Sequence, residues 1–274
     1  MVLAHNAVRN MASFSYLFLE NYPFEPPKDA FSALLNFVTN YSYERQGSPR
    51  AYRTIARRVL NEIFKGNIEK ITQKEVDSAW ILSKRIAKED YNGLGLNETH
   101  NSLNSDKGVL KRLAEKGEMN IYNYVKILLK EGQVEKAYNF MVSISGVGQK
   151  IASLYLRDIA YIELEPAKHY HHLFQPIDTW IRQAIKIILS YTSEEAPTRI
   201  LDEKKLIVEL CRDAECSPIE FNQGAWYAGS VIAKDYGTLK EISKNREKAE
   251  ELIMKKIKES EKLIYSMKKW LKRS

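Results

Sequence analysis

Hydrophobic residues recur along this chain every three or four positions, the spacing of helices that pack one face against a core. In residues 27–44, Phe31, Leu34, Leu35 and Val38 share one such face. No segment alternates polar and apolar residues between hairpin turns, and no internal repeat is found. The pattern therefore predicts an all-α fold. Further helices are predicted over residues 48–66, 72–93, 108–117, 120–132, 133–145 and 149–162 and after residue 178.

Start and stop signals delimit several of these helices. Thr72 and Glu75 have the spacing of a capping box, and Asn92-Gly93 is a typical helix end. The polar residues 97–108 predict a loop. Only 12 glycines and 8 prolines occur in 274 residues, which disfavours a turn-rich β-sandwich or barrel. With 44% hydrophobic residues, the chain can bury a core in one large domain or two modest ones.

The charge of the chain is concentrated at one end. The formal net charge of +7 fits a polyanionic partner such as nucleic acid. Residues 239–274, however, hold 12 Lys and Arg against 6 Glu, so the rest of the chain is close to neutral. We expect this tail to form a basic C-terminal helix. An apolar stripe along it predicts that the helix docks on the protein body. The alternatives are contact with DNA and pairing with a partner. The stripe comprises Ile253, Ile257, Ile264, Met267 and Leu271.

Cysteine use and hydropathy limit the cofactors and the location of the protein. Cys211 and Cys216 are too few for an iron–sulfur cluster or a cysteine-rich zinc site, so we expect no cofactor. The N-terminus lacks the pattern of a signal peptide, and no apolar run has the length of a transmembrane helix. We therefore expect an intracellular protein without a membrane partner.

A short glycine-containing turn separates two of the predicted helices. It reads SISGVGQK, from Ser143 to Lys150, and contains Gly146, Val147, Gly148 and Gln149. Glycines allow backbone N–H groups to approach a phosphate, and the start of the next helix favours an anion. This predicts a helix–hairpin–helix that grips a DNA strand without reading its sequence. An ordinary connection between two helices is the alternative.

Asp178 stands at the start of the next strongly apolar helix. It follows Pro176-Ile177 and is predicted to be the helix N-cap, where its carboxylate accepts backbone N–H groups. A stabilising cap with no other role is the alternative to a catalytic carboxylate.

Together, ISGVGQKIA and QPIDTWIRQ resemble the helix–hairpin–helix DNA glycosylases, which include endonuclease III and the 8-oxoguanine glycosylases. The resemblance covers about residues 138–189. It implies a two-lobed all-α fold with DNA in the cleft between the lobes. Lys150 matches the lysine of the bifunctional members, which remove a base and then nick the strand, and Asp178 matches the family aspartate.

The chemistry of these two side chains agrees with the resemblance. A neutral amine at Lys150 can attack the anomeric carbon and form a Schiff base with the opened sugar. Partial desolvation lowers the pKa of a lysine toward the range where it is neutral. The carboxylate of Asp178 can stabilise positive charge on the sugar and help to move protons. A lysine that only contacts phosphate is the alternative.

The connection between hairpin and aspartate departs from the commonest family pattern. Asp178 lies 28 positions after Lys150, a longer gap than in relatives of endonuclease III. The archaeal GO glycosylases, a divergent 8-oxoguanine branch, are similar in this longer connection but have a less regular hairpin. The missing cluster cysteines also favour the 8-oxoguanine branch. Three histidines in the connection could suggest a metal site, but they lack acidic or cysteine partners at suitable spacing and predict a solvated loop. They are His169, His171 and His172.

A later segment, residues 217–237, supplies a candidate base pocket. Gln223, Trp226 and Tyr227 fall on neighbouring turns of a predicted helix. A flipped base needs hydrogen bonds to its edge and a flat side chain against its ring, and the resemblance implies that a late helix provides both. Burial of Trp226 and Tyr227 in the core is the alternative.

These observations predict a domain organisation and a function. One lobe combines residues 1–45 and 175–238, the other is 46–174 with the hairpin, and 239–274 forms the basic helix. We expect a base-excision repair glycosylase with β-lyase (AP lyase) activity that removes an oxidised purine such as 8-oxoguanine. It would act as a monomer on damaged double-stranded DNA, in the nucleoid of a prokaryote or the nucleus of a eukaryote. The alternatives are a glycosylase for oxidised pyrimidines or alkylated bases and a non-catalytic helix–hairpin–helix DNA-binding protein.

Overall fold

A computed structural model describes residues 2–43, 49–96, 103 and 107–271, with the side chains of the last helix described as far as Glu261. Within these ranges the chain is helical and contains no strand, which confirms the all-α prediction. The helices are α1 (Val2–Ser13), α2 (Ser15–Asn21), α3 (Ala30–Phe37), α4 (Pro49–Phe64), α5 (Gln73–Asp90), α6 (Val109–Lys116), α7 (Ile121–Lys130), α8 (Val134–Val142), α9 (Gln149–Glu163), α10 (Thr179–Leu189), α11 (Ile200–Asp213), α12 (Pro218–Tyr227), α13 (Tyr236–Lys244) and α14 (Arg246–Leu271).

Local signals determine where several helices begin and end. The backbone N–H of Thr72 donates to Glu75 Oε2 at 2.8 Å, which confirms the predicted capping box of α5. Gly93 and Gly117 follow α5 and α6 with φ of +73° and +67°, values that glycine adopts without a steric cost. The predicted loop over residues 97–108 lies almost wholly outside the described residues.

The helices form two compact units, here called the terminal unit and the middle unit. The terminal unit comprises Met1–Pro23 and Ile177–Ser274, and the middle unit comprises Phe24–Pro176. Residues 24–45, grouped above with the N-terminal lobe, therefore fall in the middle unit, because α3 packs against α4 and α7. The predicted basic helix 239–274 corresponds to most of α13 and to α14, both within the terminal unit.

The core of the terminal unit depends on close packing between α1 and α12. A Cβ atom at Gly224 would lie 2.0 Å from the carbonyl oxygen of Met11, so only glycine allows this approach. The apolar face of α10 packs on the same core, together with α11 and α13. Helix α14 packs against α13 at its beginning, where Ala249 is buried. Ile253 is partly buried against the core, as predicted for a docked helix, whereas Ile257 is 44% exposed. The rest of the predicted stripe lies beyond the described side chains.

In the middle unit, buried aromatic and charged side chains hold α9 against its neighbours. Tyr155 packs edge-on against Phe37 and Tyr41 at centroid distances of 5.2 and 4.9 Å. The hydroxyl of Tyr41 donates to Asp158 Oδ2 at 2.9 Å, and the Arg157 side chain donates to Oδ1 of the same carboxylate. Helix α9, which follows the predicted hairpin, is thus fixed against α3 and the residues after it.

No helix in the described part of the chain combines the length and the apolar character needed to cross a bilayer.

Candidate nucleic-acid interface and catalytic residues

The segment between α8 and α9 is a tight hairpin. Gly146 has φ of +77°, a left-handed conformation that favours glycine. The N–H of Val147 donates to the carbonyl oxygen of Ile144 at 3.0 Å, and both side chains are buried beneath the turn. The apolar side chains therefore anchor the turn, while Gly146 and Gly148 remain exposed at its outer surface.

Residues next to and within α6 brace this hairpin. The N–H of Ser145 donates to the carbonyl oxygen of Lys107 at 2.6 Å. The side chain of Arg112 donates to the carbonyl oxygen of Ser143 at 3.2 Å. Two backbone groups of the turn are thereby held by the preceding part of the chain. These contacts add to the hydrogen bond between Val147 and Ile144 within the turn itself.

Backbone donors at the start of α9 are available to an anion. Gly148 is the N-cap residue of α9, with φ of −83°, and the space where a Cβ would lie is open. Among the described residues, no acceptor receives the N–H of Gly148 or of Gln149. The first N–H groups of a helix have no partner within it, and the helix dipole favours negative charge there. The N–H groups at this end of α9 can therefore donate hydrogen bonds to a phosphate oxygen.

Lys150 is the second residue of α9 and is half-buried. Its position in the first helical turn attaches a long cationic side chain directly next to the exposed backbone donors. The arrangement joins a point positive charge, or an amine nucleophile, to a candidate phosphate site.

Asp178 is the N-cap of α10, as its position in the sequence predicts. Its Oδ1 accepts the N–H groups of Trp180 at 2.9 Å and of Ile181 at 3.0 Å. Further along α10, Arg182 forms two hydrogen bonds with Glu203, at 2.8 and 3.2 Å. The hydrogen bond to Glu203 is the main cause that raises the pKa of Arg182, and the nearby charge of Asp178 adds to it. Lys150 belongs to the middle unit and Asp178 to the terminal unit.

The three predicted pocket residues lie on α12 in the terminal unit. Trp226 packs edge-on against Phe18 and Tyr22, at centroid distances of 5.8 and 5.5 Å. The hydroxyl of Tyr227 accepts a hydrogen bond from Asn21 Nδ2 at 3.1 Å. The two aromatic residues thus pack against α2 and stabilise the terminal unit. This packing corresponds to the burial given above as the alternative to base stacking.

Gln223, the third of these residues, is only 1% exposed. Its Oε1 accepts no hydrogen bond from any described residue. An unsatisfied amide oxygen in a buried place is uncommon. A role of Gln223 in base recognition stays a prediction.

The histidines of the long connection lie around two short 3₁₀ turns, at Pro166–Lys168 and His172–Phe174. His169 is buried, with Nε2 at 3.1 Å from the carbonyl oxygen of Leu164, so the expected solvated loop is wrong for this residue. His171 pairs with Glu135 at 3.3 Å; burial lowers the pKa of this histidine although the carboxylate opposes the shift. In the described part of the chain, no three His, Cys, Asp or Glu side chains are placed to hold a metal ion.

Two features near the start of α10 were not singled out from sequence. A π-helical turn, Ala228–Ala233, continues α12, and a Cβ at Gly229 would lie 2.6 Å from the ring of Trp180. Gln175, three residues before Asp178, is fully buried, and neither its side-chain Nε2 nor its Oε1 hydrogen-bonds to a described residue. Neither feature could be predicted from the sequence, because the spacing of glycine and glutamine residues does not indicate such contacts.

Comparison with known proteins gives one short match. No protein-family profile matches the chain, and no solved structure matches it. A stretch of 69 residues is 38% identical to the uncharacterized protein MJECL21 of Methanocaldococcus jannaschii. The match covers 24% of this chain and 16% of the archaeal protein, so the chain spans a small part of that relative's length.

Proposed function

We propose that this chain is a base-excision DNA glycosylase with AP lyase activity, acting on double-stranded DNA that contains an oxidised purine such as 8-oxoguanine. The proposal includes the two-lobed glycosylase fold that the sequence resemblance implies. The observation that carries it is the braced hairpin of residues 143–148, whose exposed backbone donors are followed directly by Lys150.

The hairpin supports backbone recognition of DNA. The N–H groups of Gly148 and Gln149 and the dipole of α9 suit a phosphate, and neither contact depends on base sequence. A clamp of this kind would hold one strand in place while a nucleotide is turned out of the helix. The contacts of Lys107 and Arg112 with the turn favour such a clamp, because a preorganised site does not have to be ordered when a phosphate binds.

Lys150 is the proposed nucleophile. Its neutral amine attacks C1′ of the damaged nucleotide; the C1′–N9 bond breaks, and its electron pair leaves with the base, which takes up a proton. Loss of the amine proton and opening of the sugar ring give an imine between Nζ and C1′. Removal of a C2′ proton then expels the 3′ phosphate, which cleaves the strand.

Asp178 is the proposed electrostatic partner of this reaction. One of its oxygens is engaged by the N–H groups of Trp180 and Ile181, which fixes the orientation of the carboxylate. A carboxylate held in this way can stabilise the positive charge that develops on the sugar as the base leaves. Its role as a helix cap and its role in catalysis are compatible, because an ionised carboxylate also accepts hydrogen bonds from the backbone N–H groups of an N-cap.

Covalent trapping tests the proposal. The protein is incubated with duplexes that carry 8-oxoguanine, an oxidised pyrimidine or an alkylated base, and borohydride reduces any imine to a stable adduct. We expect an adduct with the 8-oxoguanine duplex. Lys150→Gln should abolish the adduct and strand cleavage but retain most DNA affinity, while the control Lys136→Gln, an exposed lysine of α8, should behave as wild type.

Two substitutions separate the charge of Asp178 from its cap. Asp178→Asn and Asp178→Ser both retain a side-chain oxygen for the N-cap but remove the charge. Both should fold and bind DNA, and base excision should fall about 100-fold or more. Adducts that persist in Lys150→Gln would show that another residue is the nucleophile. DNA binding without an adduct on any lesion would favour the non-catalytic DNA-binding protein.

A further inference from the structure

The two cysteines of the chain lie at the turn that ends α11. Cys211 is in the last turn of that helix, and Cys216 directly precedes Ser217, the N-cap residue of α12. Cys211 is 0% exposed, whereas Cys216 is partly exposed. Both belong to the terminal unit, and both side chains are thiols. Neither takes part in the proposed glycosylase reaction.

A Schellman motif brings the two side chains together. The N–H of Cys216 donates to the carbonyl oxygen of Cys211 at 3.0 Å. The N–H of Glu215 donates to the carbonyl oxygen of Arg212 at 3.1 Å. Glu215 has φ of +53°, the left-handed conformation that this motif needs at its turn residue. The first and sixth residues of such a motif commonly make a side-chain contact, and here both of them are cysteines.

The backbone of this motif already has the spacing of a disulfide. Because the N–H of Cys216 lies on the carbonyl oxygen of Cys211, the two Cα atoms are at most about 7 Å apart. A disulfide can form without backbone movement up to about this separation. The two thiols also hydrogen-bond to each other, so their sulfur atoms are in contact.

The two thiols differ in their readiness to react. The hydrogen bond with Cys211 is the main cause that lowers the pKa of Cys216. The charge of Arg9 also lowers this pKa, although burial and the charge of Glu220 oppose the shift. Burial raises the pKa of Cys211. Arg9 is held beside the turn, because its Nε donates to the carbonyl oxygen of Ala214 at 2.7 Å. Since the thiolate is the nucleophile, the partly exposed Cys216 should react first.

We infer that Cys211 and Cys216 form a reversible modification site, in which hydrogen peroxide oxidises Cys216 and Cys211 then closes an intrachain disulfide. The thiolate of Cys216 attacks one oxygen of the peroxide. The O–O bond breaks, the sulfur becomes a sulfenic acid, and the other oxygen takes up a proton and leaves as water. Sγ of Cys211 loses its proton and attacks Sγ of Cys216, and the S–O bond breaks as hydroxide leaves and takes up that proton. The pair of thiols thereby loses two electrons and two protons, and the peroxide is reduced to water.

The disulfide would join the end of α11 to the start of α12. Helix α12 approaches α1 so closely that only glycine fits at Gly224, and α1 also bonds the turn through Arg9. A crosslink at this point restricts the unfolded chain and should stabilise the terminal unit. It also protects Cys216 from irreversible oxidation to sulfinic acid. The inference does not depend on the proposed glycosylase activity, since it involves other residues and another reaction.

Thiol counting by mass spectrometry tests the inference on the full chain. The reduced protein is treated with hydrogen peroxide, unfolded and alkylated with N-ethylmaleimide. We expect untreated protein to be alkylated at both cysteines and oxidised protein at neither, as a monomer, with dithiothreitol restoring both thiols. Trypsin cleaves after Arg212, between the two cysteines, so their peptides should stay linked only after oxidation. Alkylation of both cysteines after peroxide treatment, or a disulfide-linked dimer, would overturn the inference.

Cys211→Ser and Cys216→Ser form a matched pair that tests the order of the two steps. In Cys211→Ser, Cys216 lacks a resolving thiol, so dimedone should label its sulfenic acid. In Cys216→Ser, the buried Cys211 should react with peroxide at least about tenfold more slowly. Equal labelling of the two variants would contradict the assignment of Cys216 as the reacting thiol. The measurement on wild type decides whether the disulfide forms even if a variant fails to fold.

Urea unfolding measures the consequence of the crosslink. Oxidised wild type should unfold at a higher urea concentration than reduced wild type, because the disulfide restricts the unfolded chain. Peroxide should not raise the midpoint of Cys216→Ser, which cannot form the bond. Equal midpoints for oxidised and reduced wild type would show that the disulfide does not stabilise the terminal unit.

Discussion

The N–H of Ser145 donates to the carbonyl oxygen of Lys107 at 2.6 Å, so the hairpin between α8 and α9 is held by a residue 38 positions earlier in the chain. Together with the bond from Arg112 to Ser143, this contact fixes the turn independently of any ligand. A preorganised turn does not have to be ordered when a phosphate binds, which favours tight binding. The predictions below begin from this hairpin.

Gly148→Asp should separate helix stability from DNA affinity. Gly148 has an unstrained φ of −83° and open space at its Cβ position, so the substitution fits the backbone. Aspartate is a preferred N-cap and should stabilise α9 by a few tenths of a kcal/mol. The same carboxylate would occupy the proposed phosphate site and repel DNA. We expect affinity at fixed salt to fall at least about tenfold for every DNA sequence tested.

Gly148→Ala is the control for this prediction, because it adds a Cβ without charge and should change DNA affinity much less. Fluorescence anisotropy with two unrelated duplexes measures the affinity, and denaturant unfolding measures the stability. Undiminished affinity in folded Gly148→Asp would exclude the turn as a phosphate clamp.

Gly224→Ala should destabilise the terminal unit. The added methyl group would meet the carbonyl oxygen of Met11 at 2.0 Å, so α1 and α12 must move apart. Overpacking of this kind costs about 1–3 kcal/mol. Gly237→Ala is the control, since its nearest contact would be 3.4 Å away, from Asp235 Oδ1. Urea unfolding should show a lower midpoint for the first variant only; equal midpoints would mean that the two helices can adjust at no cost.

Glu163 should make stability depend on pH in the acidic range. Burial opposes its ionisation, but hydrogen bonds from Tyr122, Lys130 and Lys126 outweigh this effect and lower its pKa from 4.5 to about 2. Because the folded pKa lies below the unfolded value, the stabilisation is complete above pH 4.5 and is lost as the pH falls toward 2. After allowance for solvent screening, we expect a contribution of about 1–2 kcal/mol.

Glu163→Gln should therefore lower the free energy of unfolding at pH 7 and flatten its decline between pH 4.5 and 2. Glu209→Gln, at an exposed position of α11, should leave the pH profile as in wild type. Coincident pH profiles for wild type and Glu163→Gln would show that the links from Glu163 to Tyr122, Lys126 and Lys130 contribute no net stability.

Trp226→Leu should distinguish the two roles considered for this aromatic residue. Its ring packs against Phe18 and Tyr22, so the substitution should lower stability by about 1–3 kcal/mol. If the ring only supports the terminal unit, excision by the folded fraction should be unchanged. Loss of excision beyond the loss of folded protein, measured by active-site titration at low temperature, would indicate that Trp226 also stacks on the base.

Local features of the fold could be predicted from the sequence because short-range interactions decide them. The Thr72–Glu75 capping box, the glycine that ends α5 and the N-cap at Asp178 each depend on residues within a few positions. The helical spacing of apolar residues likewise predicted the all-α class. The hairpin was predicted as a turn, since two glycines between helical segments leave few other conformations.

The sequence could not predict which buried polar groups have hydrogen-bond partners or which helices pack closely, because both depend on the tertiary structure. Sequence placed Gln223, Trp226 and Tyr227 on one helix, but the packing of Trp226 on Phe18 and Tyr22 depends on a segment about 200 positions away. The contact of Gly224 with Met11 likewise arises between distant parts of the chain. Periodicity reports only which face of a helix is apolar, whereas hydrogen-bond satisfaction and steric fit depend on which other face it meets.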